Sequence, residues 1–183
     1  MLRIFLFLNL FYMITELLHS NEYNSYYTNY INTTTDKDIL KGLNANLVSV
    51  VGFYNKIPKD KHNYAYAEGK WTIKDILLHI IDTERIFAYR ALRVARKDKT
   101  PLSGFDQDDY VIESNTSTRT LASIIEEFET VRKATIILFE NFSATTLLDV
   151  GVASGSNISV RALGYIITGH ENHHNRIIKE RYL

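Results

Sequence analysis

From Asp36 onward the apolar positions fall into four trains with alternating steps of three and four residues, the spacing that lines one face of a helix. Leu40, Leu43, Leu47, Val50, Tyr54 and Ile57 form the first. They predict a helix capped near Thr35 or Asp36 and stopped by Pro58, whose ring and missing N–H cannot continue it. The second starts at Thr72, a cap residue with Asp75 three places on, and runs to about Arg96. Its inward face is Ile73, Ile76, Leu77, Ile80, Phe87 and Leu92, with His79 and Thr83 in or beside the stripe. The third is expected from about Ser117, on Leu121, Ile124, Phe128, Val131, Thr135, Leu138 and Phe142. The fourth follows the Gly/Ser-rich stretch 151–157, with Ser159 as cap and a seam of Val160, Leu163, Ile167, His170, His174 and Ile177.

Four such seams, with no strand-like stretch long enough to compete, predict an all-α four-helix bundle over residues 36–183, preceded by an N-terminal segment, 1–35. Only two prolines and eight glycines in 183 residues agree with long uninterrupted helices. The link between the second and third helices, KDKTPLSGFDQDDYV, contains Pro101 and Gly104 and is longer than a tight helical hairpin requires. It is expected to cross the bundle end and to carry function.

Charge and cysteine usage narrow the chemistry. With 21 basic side chains against 21 acidic ones, the chain lacks the electrostatic attraction on which most nucleic-acid binders rely, so no nucleic-acid partner is expected. There is no cysteine, hence no disulfide, no zinc–thiolate knot and no protein thiol nucleophile; a metal site must use nitrogen and oxygen ligands. Residues 2–12 are almost wholly apolar behind Arg3, yet the run is too short to span a bilayer and no small-residue cleavage pattern follows. A start-site extension leading into Met13, an ordered packing segment and an export signal all remain open. The expected location is the cytoplasm, with export left open by this stretch, and no membrane partner is expected. The Asn-x-Ser/Thr triplets at Asn32, Asn115, Asn141 and Asn157 matter only for a secreted chain.

Two histidines sit on the fourth seam where leucines are expected. An imidazole in a dry core brings two polar nitrogens, and leaving one unsatisfied costs about 1–3 kcal/mol. His170 and His174 are four residues apart and share a helix face; His79 is a third polar ring among Ile76, Ile80 and Ile81. Each alone reads as a hydrogen-bonded core histidine. Together they form a candidate site for one divalent ion, with three nitrogens and an open position: zinc first, nickel or iron as alternatives. His173, about 100° round the helix from His174, reaches the rim of such a site or faces solvent.

Two pattern matches are set aside. His170-Glu171-Asn172-His173-His174 satisfies the HExxH expression of zinc peptidases, but Ile177 and Glu180 stand where the longer motif needs Gly and His, and no sheet edge is available for a peptide. Glu171-x-x-His174 is half of a di-iron motif, whose second half would need a glutamate at Ile76.

The stretches GKWTIKDILLHIIDTERIF, PLSGFDQDDYV and SVRALGYIITGHENHHNRIIKERYL together resemble the DinB/YfiT-like superfamily of metal-binding four-helix bundles, over about Asp36 to Leu183. The resemblance implies that His79, His170 and His174 bind a divalent ion, often zinc or nickel, with solvent completing the sphere. It also implies a homodimer in many members. Some relatives transfer low-molecular-weight thiols such as bacillithiol or mycothiol to electrophiles, others are regarded as metal-dependent hydrolases, and many have no known reaction. The leading expectation is a transferase that activates a small thiol cosubstrate for attack on an electrophilic small molecule. A hydrolase using ion-activated water and a non-enzymatic metal-binding stress protein are the alternatives. Asp82, one turn beyond His79, either orients that ring or a solvent ligand or is a solvated helix carboxylate. Asp106, Asp108, Asp109 and Tyr110 on the long link either cover the open position and touch substrate or form a solvated acidic turn. Trp71 is read as packing at the start of the second helix.

Overall fold

The computed structural model describes residues 17–183; the apolar stretch 2–12 and Met13 lie outside the described residues. Four long helices make the body: α2 (Ile39–Tyr54), α3 (Ile73–Ala95), α5 (Leu121–Glu140) and α7 (Val160–Arg181). Shorter pieces join them: α1 (Thr28–Ile31), α4 (Gln107–Glu113), α6 (Ala144–Leu147) and a hairpin of β1 (Val150–Ala153) with β2 (Ser156–Ser159). The protein is an all-α four-helix bundle with one small hairpin.

Each long helix begins at a side-chain cap that satisfies amides the helix cannot. Thr72 and Asp75 exchange bonds in a full capping box at the start of α3, and Ser159 accepts from the Ala162 amide at the start of α7, both as the sequence predicts. Two starts differ. Asp38, rather than Thr35 or Asp36, caps α2 by accepting from the Lys41 amide. Helix α5 begins at Leu121, not near Ser117, because Asn115 adopts a left-handed conformation (φ 52°), residues 116–118 make a 3-10 turn, and Thr120 supplies the cap. Helix α2 ends at Tyr54, before Ile57 and Pro58, although Ile57 remains buried. At the end of α3 the inward positions are Ala91, Val94 and Ala95, with Leu92 only half-buried.

The Gly/Ser-rich stretch forms the hairpin. Ser154 and Gly155 both take positive φ (51° and 74°), which matches the right-handed twist of a two-residue turn. Its β1 edge takes Leu102 as a bridging partner, through Leu102 N–H to Val152 O (2.9 Å) and Ser154 N–H to Leu102 O (2.9 Å). The hairpin thereby pins the α3–α5 link.

Helix α2 packs against α5 and α7, and α3 packs against the same two. Consecutive helices α2 and α3 therefore stand on a diagonal, and residues 55–72 cross the bundle between them. Helices α3 and α5 are neighbours, so the long link does not cross as expected; it folds α4 back against α3. Residues 22–37 run along α7. Glu22 pairs with Arg161, Thr33 Oγ1 donates to Gly169 O (2.7 Å), Thr34 Oγ1 to Tyr165 O (2.9 Å), and Tyr165 Oη to Lys37 O (2.8 Å).

The apolar interior falls into two clusters, one around Leu43, Phe87, Phe139 and Leu163, the other around Val50, Leu77, Phe128 and Ile178. Between them every long helix carries buried polar residues: Asn46 on α2, His79, Thr83 and Glu84 on α3, Arg132 and Thr135 on α5, Thr168, His170 and Glu171 on α7. A polar belt thus cuts the core at mid-height.

Candidate metal centre

One half of the belt is a closed ion-pair network. Arg132 is fully buried and binds Glu84 through Nε (2.8 Å) and Nη2 (2.9 Å), and Glu171 through Nη2 (2.6 Å) and Nη1 (3.2 Å). Asn46 Nδ2 donates to the same Glu171 carboxylate and to Thr168 O. Burial pushes the Glu171 carboxyl above its usual range, against the pull of Arg132. Glu171 therefore points into the core, away from the histidines, which disposes of the peptidase pattern structurally: its carboxylate is committed to a guanidinium.

The other half is the histidine cluster. His79 Nε2 and His174 Nε2 each lie 3.0 Å from His170 Nε2, and the three ligand atoms all fall within 4.8 Å of one another. Burial holds the His79 ring down at about 4. Burial, reinforced by His79 and His173, holds His174 at about 3, and His170 lies well below its ordinary value for the same reasons. All three are neutral at pH 7. Three neutral imidazoles facing one another by the same ring atom cannot each satisfy the others, since a shared edge has room for one proton. Lone pairs converging on one point fit a cation instead: tetrahedral zinc at 2.0–2.1 Å from each nitrogen would separate them by about 3.3 Å.

Among the described residues, aromatic rings rather than carboxylates pack on the imidazoles. Trp71 packs on His79 with centroids 4.7 Å apart and stacks along His174 at 6.5 Å, so it does more than secure the helix start. Tyr30 sets its ring edge against His170 and His173, each at 5.2 Å. Asp82 does not orient His79; among the described residues its hydrogen-bond partner is Arg85 (3.4 Å), which in turn binds Glu127.

The cluster stands between two cavities. His79 and His170 line one of about 480 Å³, together with Tyr27, Tyr30, Thr83 and Arg90. His174 and His173 line the other, about 560 Å³, with Trp71, Ile177 and Tyr182. Asp108, on α4, borders both. Asp106 lines the first cavity while its carboxylate caps α4 by accepting from the Asp108 amide (2.9 Å). Tyr110 lies elsewhere, exposed and with its ring tilted 48° against that of Phe105, and Asp109 is exposed and lines neither cavity. Sequence reasoning missed Tyr27, Tyr30 and Arg90. The signal for Arg90 was present, since 79, 83, 87 and 90 follow one helix face. The tyrosines precede the regular seams and carry no periodic signal.

No curated protein sequence matches the chain significantly. Among solved structures, the chain is similar to YfiT from Bacillus subtilis, described as a probable metal-dependent hydrolase with an unusual four-helix bundle topology, at 13% identity, covering 89% of each chain with a TM-score of 0.66. The sequence profile of the DinB superfamily matches residues 45–178, a span that includes all three clustered histidines, the whole of α3 and α5 and most of α2 and α7. The chain belongs to the DinB superfamily.

Proposed function

We propose that this protein is a divalent-metal-dependent enzyme acting on small molecules, and that it transfers a low-molecular-weight thiol to an electrophile. The observation that carries the reading is the convergence of three neutral imidazoles at the meeting point of two cavities. His79, His170 and His174 would hold the ion, with zinc expected first and nickel or iron next. Bound there, such an ion supplies Lewis acidity that ionises a thiol near neutral pH.

The chain's own residues fit that chemistry. Having no cysteine, it must take its sulfur nucleophile from a cosubstrate. Glu171 is locked to Arg132 and Asp82 lines neither cavity, so neither stands at the site as a general base for water. That fits a nucleophile whose proton leaves to solvent. The thiolate sulfur then forms a bond to the electrophilic carbon, and the leaving group departs with the bonding pair. Two cavities give the two reactants separate approaches, while Trp71 and Tyr30 shield the imidazoles from bulk water.

Hydrolysis is the second reading, favoured by the likeness in fold to YfiT and by the three-imidazole donor set. The test is elemental analysis of untagged protein, followed by a panel of thiols with alkylating electrophiles and a panel of esters and amides without thiol. Thiol consumption supports transfer; cleavage without thiol supports hydrolysis. Metal binding without either would leave a metal-stabilised stress protein. A homodimer belongs to the same reading, and sedimentation of the metal-loaded protein checks it.

A further inference from the structure

We propose that the first cavity binds an extended organic carboxylate, anchored by Arg90 at the end remote from the histidines. This rests on the reading that the histidine site acts on small molecules, and it specifies the class of molecule. His79, Thr83, Phe87 and Arg90 follow each other at steps of four, four and three along one face of α3, and all four line the cavity. The eleven helical rises between His79 and Arg90 correspond to about 16 Å of helix, so a ligand touching both ends is an elongated molecule and not a small inorganic anion.

Arg90 is only 2% exposed, and among the described residues no carboxylate lies within ion-pairing distance of it. Arg132, equally buried, has two. The Arg90 guanidinium donates from Nη2 to Ser103 O (2.8 Å) and Ser154 Oγ (3.0 Å), stands beside the Tyr27 phenol, and lies 5.5 Å from the Phe87 ring centre and 5.9 Å from that of Phe105. The hairpin turn and the link pinned to it thus hold the group in place without neutralising it. An uncompensated buried cation is costly, and a planar fork of donors matches a carboxylate. Between the two ends, the Thr83 hydroxyl is buried and has no hydrogen-bond partner among the described residues, a second polar group left for a ligand atom. Tyr27, Tyr30 and Phe87 supply apolar wall for the body of the molecule. Asp106, the cap of α4, and Asp108, on α4, are exposed and also line the cavity, where their charge disfavours an anion at their own edge.

The experiment is calorimetric titration with a graded series of phenylalkanoates and their uncharged carboxamides. It uses metal-loaded wild type, His174→Ala, Arg90→Gln and Arg90→Lys, each checked by thermal melting. We expect at least one acid to bind ten-fold or more tightly than its amide. The preference should persist in His174→Ala and vanish in Arg90→Gln. If Arg90→Gln does not fold, Arg90→Lys decides: binding weakened three-fold or more supports the anchor, because the fork is lost, and unchanged binding overturns it. A preference that survives in folded Arg90→Gln but disappears in His174→Ala overturns the Arg90 assignment and leaves the metal reading intact. A preference that depends on Arg90 in a protein that holds no metal keeps the anchor and removes the metal reading. Failure of every acid to bind overturns the proposal.

Discussion

At the scale of single residues, the polar belt contains two kinds of group, and they differ in what a substitution should do. His174→Ala removes one of three converging nitrogens, and the expected result is loss of bound metal together with loss of turnover, read by elemental analysis and activity assay. Arg132→Ala leaves two buried carboxylates without their cation. It should destabilise the fold by about 3–5 kcal/mol in urea unfolding, with little effect on the histidine geometry. The imidazoles also make a pH prediction for metal-free protein. In the unfolded chain a histidine takes up its proton near 6.5, whereas folded His79 stays neutral down to about 4. Between those values the unfolded state holds more protons, so stability falls as pH is lowered. The melting temperature at pH 5 should lie below that at pH 7, and an unchanged value would show that these rings are not buried and neutral. Glu22 acts in a lower window: burial opposes its ionisation, but Arg161 and nearby donors hold it at about 2, and its contribution is lost as pH falls from 4.5 through 2.

Among the elements, residues 28–34 approach α7 closely at Gly169. A Cβ added at Gly169 would lie 1.9 Å from the Tyr30 carbonyl oxygen, a backbone atom that cannot rotate away. Gly169→Ala should therefore push α1 off α7, cost roughly 1–3 kcal/mol by overpacking, and lift Tyr30 from His170. The readout is a lowered melting temperature accompanied by weaker ligand binding in the first cavity. The four long helices were legible in the chain because each buries one stripe at helical spacing, and Thr72 and Ser159 announced their own caps. The hairpin was not legible as such: four-residue strands are too short for alternation to register, and only the Ser154-Gly155 turn hints at them. Arg132 was passed over because on a helix wheel it stands beside Val131, and a charged residue there reads as solvated until two carboxylates from other helices meet it.

For the whole molecule, a metal ion bridging α3 and α7 would tie together helices that also carry both halves of the belt. An ion that binds the folded state alone stabilises it by mass action, about 2.7 kcal/mol at a hundred-fold excess over its dissociation constant. For a chain of this size that corresponds to a rise of roughly 5–10 °C in Tm. Chelation should reverse the shift, and a Tm indifferent to chelator would argue against the ion as a resident of the cluster. Among the described residues no helix is long and apolar enough to cross a membrane.

The four helices, their approximate limits and the three displaced histidines are written in the chain, because helical spacing and side-chain caps are local and a polar ring on an apolar seam stands out without coordinates. The tertiary structure decided which helices are neighbours, that Glu171 turns to Arg132, that Asp82 turns to Arg85, and that Tyr27, Tyr30 and Arg90 join the cavity. Those outcomes depend on diagonal packing and on contacts between residues far apart in the chain, and no pattern confined to one segment encodes them.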